Sequence, residues 1–165
     1  MERNRMVETT MKLSPDQHRQ CAKALFNLVW TLLEQPQRTP DQDDLMVHRA
    51  HAMMLHWLQV GEPVNFARGE CQLSRVYAVL RRFEPAVHHA ERCRVICQDN
   101  ALGAFDTGFA CEALARAHAV GGNDAQVESF LDRARAAARE IDDEADRAIL
   151  LADLTTVRSS PDKTV

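Results

Sequence analysis

The segment LSRVYAVLRRFEPAVHHAERC, residues 73–93, contains the pattern that decides the fold. Its first half repeats apolar residues at i, i+3, i+4 and i+7, which is the spacing of one face of an amphipathic helix. Its second half begins near Pro85, a residue favoured in the first turn of a helix, and continues with small residues at Ala86 and Ala90. We therefore predict two helices that meet near Arg82. The apolar face of the first helix consists of Leu73, Val76, Tyr77 and Leu80.

Helix start and stop signals recur along the rest of the chain. The segments SPDQ and TPDQ provide Ser14 and Thr39 as N-caps, each followed by a proline in the first helical position and a glutamine at the capping-box position. No run of alternating β-branched residues bounded by hairpin turns is found. Seven helices are predicted: Pro15–Glu34, Pro40–Val60, Pro63–Arg82, Pro85–Cys97, one from the end of QDNALG to Gly121–Gly122, one capped by Asn123 or Asp124 and ending near Glu140, and one opened by Asp142 or Asp143 and ending near Val157.

Length and composition favour a single helical domain. The 165 residues are 45% hydrophobic, 27% charged and only 5% aromatic, with abundant alanine after residue 100. This mixture is typical of soluble chains and suits closely packed helices better than a β-sandwich. We predict an all-α domain over residues 14–157, with flexible ends at residues 1–13 and 158–165.

Charge and cysteine content exclude several classes of partner. The net charge of −4 provides no overall field for nucleic acid or anionic lipid. The most apolar segment, CAKALFNLVWTLLE, includes Lys23 and Asn27 and is too short to span a bilayer. The five cysteines are dispersed, with no C-x-x-C, and no secretory signal is recognisable. We predict reduced thiols, a cytoplasmic location, and no nucleic-acid or membrane partner.

The pattern of residues 73–93 recurs 41 positions later in the chain. Leu73 and Tyr77 correspond to Leu114 and His118, and Ser74 stands where a glycine is usual. The small positions of the second helix correspond in the same way: Ala86, Ala90 and Cys93 match Val127, Leu131 and Ala134. On these residues the chain resembles the tetratricopeptide repeat family, whose helix–turn–helix units of about 34 residues carry a W-x-x-L-G-x-x-Y start and an A-x-x-x-F spacing. The longer interval is similar to longer-helix variants, and the whole chain resembles small stand-alone bacterial proteins of this type.

The resemblance covers residues 67–140 and implies a particular architecture. The helices would stack as antiparallel hairpins in a right-handed superhelix, with helices 1 and 2 as a diverged first pair and helix 7 capping the last pair. In this family the first helix of each pair lines a concave groove that receives peptides. The matching faces of helices 3 and 5 carry arginines and phenylalanines, which suit an acidic or carboxylate-bearing segment. The predicted groove residues are Arg68, Gln72 near the rim, Arg75, Phe105, Phe109, Glu112 and Arg116.

Other interpretations of these residues stay open. The arginines can be merely solvated, while the phenylalanines pack on helix 7 or on a second subunit. Cys71 lies among arginines of its own helix face, a setting that can activate a thiol, although a small space-filling role accounts for it equally. With only about three helix pairs, the open ends of the stack are large relative to the core, and a homodimer is plausible.

Histidines and cysteines suggest a rival function as a metal-dependent enzyme or sensor. Helix 2 contains His48, His51 and His56, and helix 4 places His89, Cys93 and Cys97 on one face at i, i+4 and i+8. Zinc sites usually draw ligands from two segments, and the sequence identifies no second one. No P-loop, G-x-S-x-G or G-x-G-x-x-G occurs, so we predict no cofactor. The favoured function is a non-enzymatic scaffold or peptide-binding module. A purely structural homo-oligomer is a third possibility.

Overall fold

The computed structural model describes residues 13–157 and shows them as all-α, which confirms the predicted fold class. Within this range the chain contains seven helices and no strand: α1 (Pro15–Leu33), α2 (Pro40–Val60), α3 (Pro63–Val79), α4 (Phe83–Asp99), α5 (Ala104–Gly121), α6 (Asp124–Arg139) and α7 (Glu144–Thr156). None of these seven helices combines the length and the apolar character needed to cross a bilayer. The ends predicted to be flexible lie outside the described residues, apart from Leu13.

The predicted capping residues start the helices. The side chain of Ser14 accepts the N–H of Gln17 at 3.2 Å, and the Gln17 side chain accepts the N–H of Ser14 at 2.8 Å. Thr39 forms the same capping box at the start of α2. Where the sequence left two candidates open, Asn123 caps α6 and Asp143 caps α7. Each such cap contributes about 1 kcal/mol to the stability of its helix.

The turn between α3 and α4 differs from the prediction by a few residues at each end. Arg81 adopts a left-handed conformation with φ of 59°, so α3 cannot continue to Arg82. The N–H of Arg82 donates to the carbonyl of Tyr77 at 2.9 Å and closes the turn. Helix α4 consequently begins at Phe83, two residues before Pro85.

The turn between α5 and α6 has the same geometry 41 positions later. Gly122 takes the left-handed conformation with φ of 71°, and the N–H of Asn123 donates to the carbonyl of His118 at 3.0 Å. Gly122 therefore stands where Arg81 stands in the earlier turn, and His118 stands where Tyr77 does. Glycine adopts this conformation without the steric cost that arginine incurs.

The aromatic contacts across the two hairpins also match. The ring of Tyr77 on α3 stacks on His89 of α4, with centroids 5.5 Å apart and planes 3° apart. The ring of His118 on α5 stacks on Phe130 of α6, at 5.8 Å and 5°. Both stacked partners lie 12 positions beyond the first ring. The α3–α4 and α5–α6 hairpins therefore have the same turn geometry, the same register and an equivalent stacked ring pair.

Each helix packs against the helix before it, and the odd-numbered helices also contact one another in sequence. Helix α3 contacts α1 and α5, and α5 contacts α7, so that these four helices form one side of the molecule. Leucines fill the seams, because Leu73, Leu114, Leu131 and Leu150 are at most 2% exposed. Truncation of such a leucine to alanine typically costs about 2–5 kcal/mol.

A glycine on α5 allows α7 to lie close against it. A Cβ atom at Gly108 would lie 2.5 Å from Cδ2 of Leu150, too close for a side chain to fit without movement. Leu150 is fully buried at this contact. Helix α7 is thereby held against α5, and it brings Ile149 and Asp153 toward α3.

Candidate functional site

A cavity of about 440 Å³ lies among α1, α3, α5 and α7, with one residue contributed by α4. This volume falls in the range of about 300–1,000 Å³ that is typical of ligand sites. Most of the lining side chains are apolar, and four are aromatic. The lining residues are Phe26 and Trp30 of α1; Ala67, Arg68, Cys71 and Gln72 of α3; Cys93 of α4; Phe105, Asp106 and Phe109 of α5; and Ile149 and Asp153 of α7.

Two aromatic pairs form opposite parts of the cavity wall. The rings of Phe105 and Phe109, one turn apart on α5, have centroids 4.9 Å apart. The rings of Phe26 and Trp30, one turn apart on α1, are 6.2 Å apart in an edge-on arrangement. The predicted groove residues Phe105 and Phe109 therefore line the cavity. The α1 pair was missed by the sequence analysis, although its i, i+4 spacing was a signal for it.

Gln72 lies in the cavity wall and is nearly inaccessible to solvent. The sequence analysis expected it near the rim, but its residue exposure is only 1% because α1 covers this part of α3. Its Nε2 atom donates to the carbonyl oxygen of Phe26 at 2.9 Å. Its Oε1 atom is buried without a hydrogen-bond partner in the described part of the chain. A buried acceptor left unpaired costs about 1–3 kcal/mol, so this atom is suited to receive a donor from a ligand.

Arg68 is the predicted arginine that lines the cavity. Its Nε donates to a carboxylate oxygen of Asp106 at 2.7 Å, and its guanidinium lies 5.5 Å from the ring centre of Phe105. The hydrogen bond to Asp106 raises the pKa of Arg68 against the opposing effect of burial. The Arg68 side chain is half-exposed, so this ion pair borders the cavity where it meets solvent.

The other predicted charged groove residues belong to an ion-pair network, which corrects the sequence prediction. Glu112 is 1% exposed and accepts hydrogen bonds from both Arg75 and Arg116. Arg75 also donates to the Asp153 carboxylate at 2.5 Å, and Arg116 donates to the Thr156 hydroxyl at 2.7 Å. Arg75, Glu112 and Arg116 are not among the residues that line the cavity. Because α7 supplies the remaining partners, these charges connect α3, α5 and α7.

The histidines of α2 have separate partners. Nε2 of His51 lies 2.8 Å from the Tyr77 hydroxyl, and Nδ1 of His56 lies 3.0 Å from Nδ1 of His18, while His48 is exposed. Burial lowers the pKa of His51 and of His56, and a neighbouring histidine adds to each effect. Within residues 13–157, no three His, Cys, Asp or Glu side chains are placed to hold a metal ion.

The face of α4 that was considered for metal binding is divided between two environments. Nδ1 of His89 lies 2.6 Å from Glu70, which also accepts a hydrogen bond from Arg92 at 2.7 Å. Burial acts to raise the pKa of Glu70, but these two hydrogen bonds outweigh it, and the pKa is lowered. Cys93 and Cys97 instead pack with Cys71 near the cavity. Glu70 was missed by the sequence analysis, although it lies one turn before Leu73 on the inward face.

Comparison of the chain with family models, with curated proteins and with solved structures finds no match.

Proposed function

We propose that the protein is a tetratricopeptide-like binding module, and that its cavity receives an apolar side chain from a segment of a partner protein together with one hydrogen-bond donor. The observation that carries this proposal is the buried Oε1 atom of Gln72, which has no hydrogen-bond partner within residues 13–157. It belongs to a mostly apolar wall that also includes Arg68, Asp106 and Asp153. A mostly apolar pocket with a few placed polar groups is the usual form of a specific ligand site.

The matched hairpins support the architectural part of the proposal. The α3–α4 and α5–α6 turns repeat at an interval of 41 positions. Each has a left-handed residue at the same place, Arg81 or Gly122, and an equivalent closing hydrogen bond. Helices α1, α3, α5 and α7 contact one another in order, as the first helices of stacked hairpins do. In the proposed right-handed stack, α1–α2 is the first pair and α7 caps the last. The cavity lies among the first helices, where the resemblance implies a peptide groove.

The wall of the cavity defines the chemistry of the proposed ligand. Phe26, Trp30, Phe105 and Phe109 provide flat apolar surfaces that suit an aromatic or long aliphatic group. Gln72 supplies an acceptor, so the ligand needs an N–H or O–H beside its apolar part. Arg68, which is itself paired with Asp106, is the only predicted groove arginine in the cavity wall, whereas Arg75 and Arg116 lie outside it and pair with Glu112.

The hydrogen-bonding part of the proposal can be tested with two probes of nearly equal shape. The phenol p-cresol carries an O–H donor, whereas 4-methylanisole has that donor blocked by a methyl group. We expect the protein to bind p-cresol about tenfold more tightly, since a neutral hydrogen bond contributes about 1 kcal/mol or somewhat more. Calorimetric titration measures both affinities. Absence of binding, or equal binding of the two probes, would contradict the proposal.

Two variants control this experiment. Gln72→Leu keeps the approximate volume but removes the acceptor, and it should bind the two probes equally. Gln59→Leu changes an exposed glutamine of α2 and should leave the preference for p-cresol unchanged. Persistence of the preference in the Gln72→Leu protein would assign the acceptor to another group.

The proposed partner class is tested by selection of displayed random peptides on the whole chain. We expect enriched peptides to contain an aromatic residue, and to lose binding to Phe109→Ala, which removes one wall of the cavity. Enrichment of peptides that bind Phe109→Ala equally well would place the peptide site elsewhere on the molecule. The melting temperature of each variant shows whether its fold is intact.

A further inference from the structure

Three of the five cysteines lie together at the cavity. Cys71 of α3 and Cys93 of α4 both line it, and Cys97 packs in the same cluster one turn further along α4. Cys93 and Cys97 are each only 2% exposed, whereas Cys71 is partly exposed. Cys71 is therefore the most exposed of the three residues.

The side chain of Cys93 packs in one cluster with those of Cys71 and Cys97. The neighbouring Cys71 and Cys97 thiols, together with burial, raise the pKa of Cys93. The hydrogen bond from Cys93 lowers the pKa of Cys97, although burial opposes this change. The Cys71 sulfur also lies 3.8 Å from the carbonyl oxygen of Phe109. Cys71 and Cys93 therefore lie on adjacent helices, α3 and α4, and line the same cavity.

We propose that Cys71 and Cys93 form a redox-active pair, in which a hydroperoxide entering the cavity oxidises Cys71 and Cys93 then converts it to a disulfide between α3 and α4. The proposal concerns modification of the chain itself and does not depend on which ligand the cavity binds. Its central requirement is an accessible thiol beside a buried one, which the cavity provides.

The oxidation proceeds in two balanced steps. The Cys71 thiolate attacks the terminal oxygen of the hydroperoxide, the O–O bond breaks, and the departing oxygen takes up a proton and leaves as an alcohol or as water. This step leaves a sulfenic acid on Cys71. The Cys93 sulfur then attacks the sulfenic sulfur, the S–O bond breaks, and the hydroxyl group leaves with the Cys93 proton as water. Two thiols are oxidised by two electrons, and the peroxide is reduced.

Cys93 is the resolving residue on geometric grounds. A disulfide requires Cβ atoms about 3.5–4.5 Å apart, which neighbouring helices in contact can provide. Cys97 is as deeply buried as Cys93 but does not line the cavity, whereas Cys93 lines it together with Cys71. A bridge between Cys71 and Cys93 also joins the two helices of a single hairpin, so it can form without separating them.

The test uses the fully reduced whole chain and equimolar hydrogen peroxide. We expect the intact mass after alkylation to show that three of the five thiols remain free, with peptide mapping placing the bridge between Cys71 and Cys93. In Cys93→Ala the sulfenic acid on Cys71 has no resolving thiol, and it should accumulate and react with dimedone. Rescue of the lost thiols by a reducing agent distinguishes the disulfide from higher oxidation.

Cys21 provides the matched control, because it is also partly exposed but does not line the cavity. We expect Cys21 to remain reduced while Cys71 is consumed, and Cys21→Ser to form the same bridge as the unaltered chain. Oxidation of Cys21 as fast as Cys71, a bridge to another cysteine, a bridge between two chains, or no bridge at all would each overturn the proposal. The mapping of the unaltered chain decides these outcomes even if Cys93→Ala does not fold.

Discussion

Glu70 and Gln72 lie two positions apart on α3 and are almost equally buried. The side-chain oxygens of Glu70 both have hydrogen-bond partners, whereas only the nitrogen of the Gln72 amide has one within the described residues. His89 and Arg92 each contact one carboxylate oxygen of Glu70. Gln72 donates to the carbonyl oxygen of Phe26, but its own oxygen has no hydrogen-bond partner between Leu13 and Val157. A buried polar group that is completely paired serves the fold, whereas one that is incompletely paired next to open space is a candidate for ligand recognition.

Glu112 belongs with Glu70 in this comparison. Arg75 and Arg116 occupy it from α3 and α5, and both arginines also reach α7. Two of the three arginines predicted to line the groove, Arg75 and Arg116, therefore make internal contacts. In the proposed function, ligand recognition depends on the aromatic walls, on Gln72 and on the half-exposed Arg68.

The largest effect is expected from removal of the Glu112 carboxylate. In Glu112→Ala the mostly buried guanidinium groups of Arg75 and Arg116 lose the carboxylate that they share. This loss should lower the free energy of unfolding by about 3–5 kcal/mol. Urea denaturation of the variant and of the unaltered chain measures this loss. Asp132→Ala is the matched control, because it breaks an ion pair with Arg135 whose two side chains are 75% and 48% exposed.

For the control we expect a change of at most about 1 kcal/mol, as for other exposed ion pairs. Equal losses for Glu112→Ala and Asp132→Ala would mean that Glu112 contributes no more than a surface charge. The assignment of Arg75 and Arg116 to the fold would then be wrong, and the two arginines would return to consideration as ligand-binding groups.

A smaller effect, with a characteristic dependence on pH, is expected for Glu70→Gln. The variant keeps a side chain of the same shape but loses the charged hydrogen bonds to His89 and Arg92, which should cost about 1–3 kcal/mol at pH 7. The pKa of Glu70 in the folded chain lies below its ordinary value of 4.5. Its ionised form therefore stabilises the fold at pH values above 4.5, and this contribution is lost as the pH falls below that value toward the lowered pKa.

Urea denaturation at a series of pH values from about 7 to about 3 checks this prediction. The unaltered chain should lose more stability than Glu70→Gln across the acidic part of the series, so that the two curves approach each other. Parallel curves would show that Glu70 does not titrate differently in the folded and unfolded chains. The ion pairs of Glu70 with His89 and Arg92 would then not stabilise the folded chain.

The sequence predicts local features of this molecule better than contacts between helices. Ser14, Thr39 and Pro40 mark helix starts within a few adjacent residues, so capping rules locate them. Phe105 and Phe109 were placed on the correct face because one helical rotation decides it. The depth of Gln72 depends instead on how α1 crosses α3, which no single helix specifies.

The charged residues show the same limit more clearly. Arg75 pairs with Glu112, 37 positions away, and with Asp153, 78 positions away. Such partners are brought together only by the packing of α5 and α7 on α3. A rotation of α3 alone indicates a row of arginines facing outward, and it cannot indicate that α7 covers one end of that row.

The smallest change in stability is expected for Gln72→Leu, although this is the variant that should change ligand recognition. The substitution loses the hydrogen bond to Phe26, worth about 0.5–1.5 kcal/mol, but it also removes an unpaired buried oxygen whose penalty is about 1–3 kcal/mol. These two effects oppose each other, so the free energy of unfolding should fall by no more than about 1 kcal/mol in urea denaturation. Gln72→Ala removes the same oxygen but also shortens the side chain. Its comparison with Gln72→Leu therefore separates the effect of side-chain volume from that of polarity. If Gln72→Leu were as destabilising as Glu70→Gln, the oxygen of Gln72 would have a partner on which the fold depends. The contrast between Glu70 and Gln72 would then be lost, because both side chains would serve to stabilise the fold.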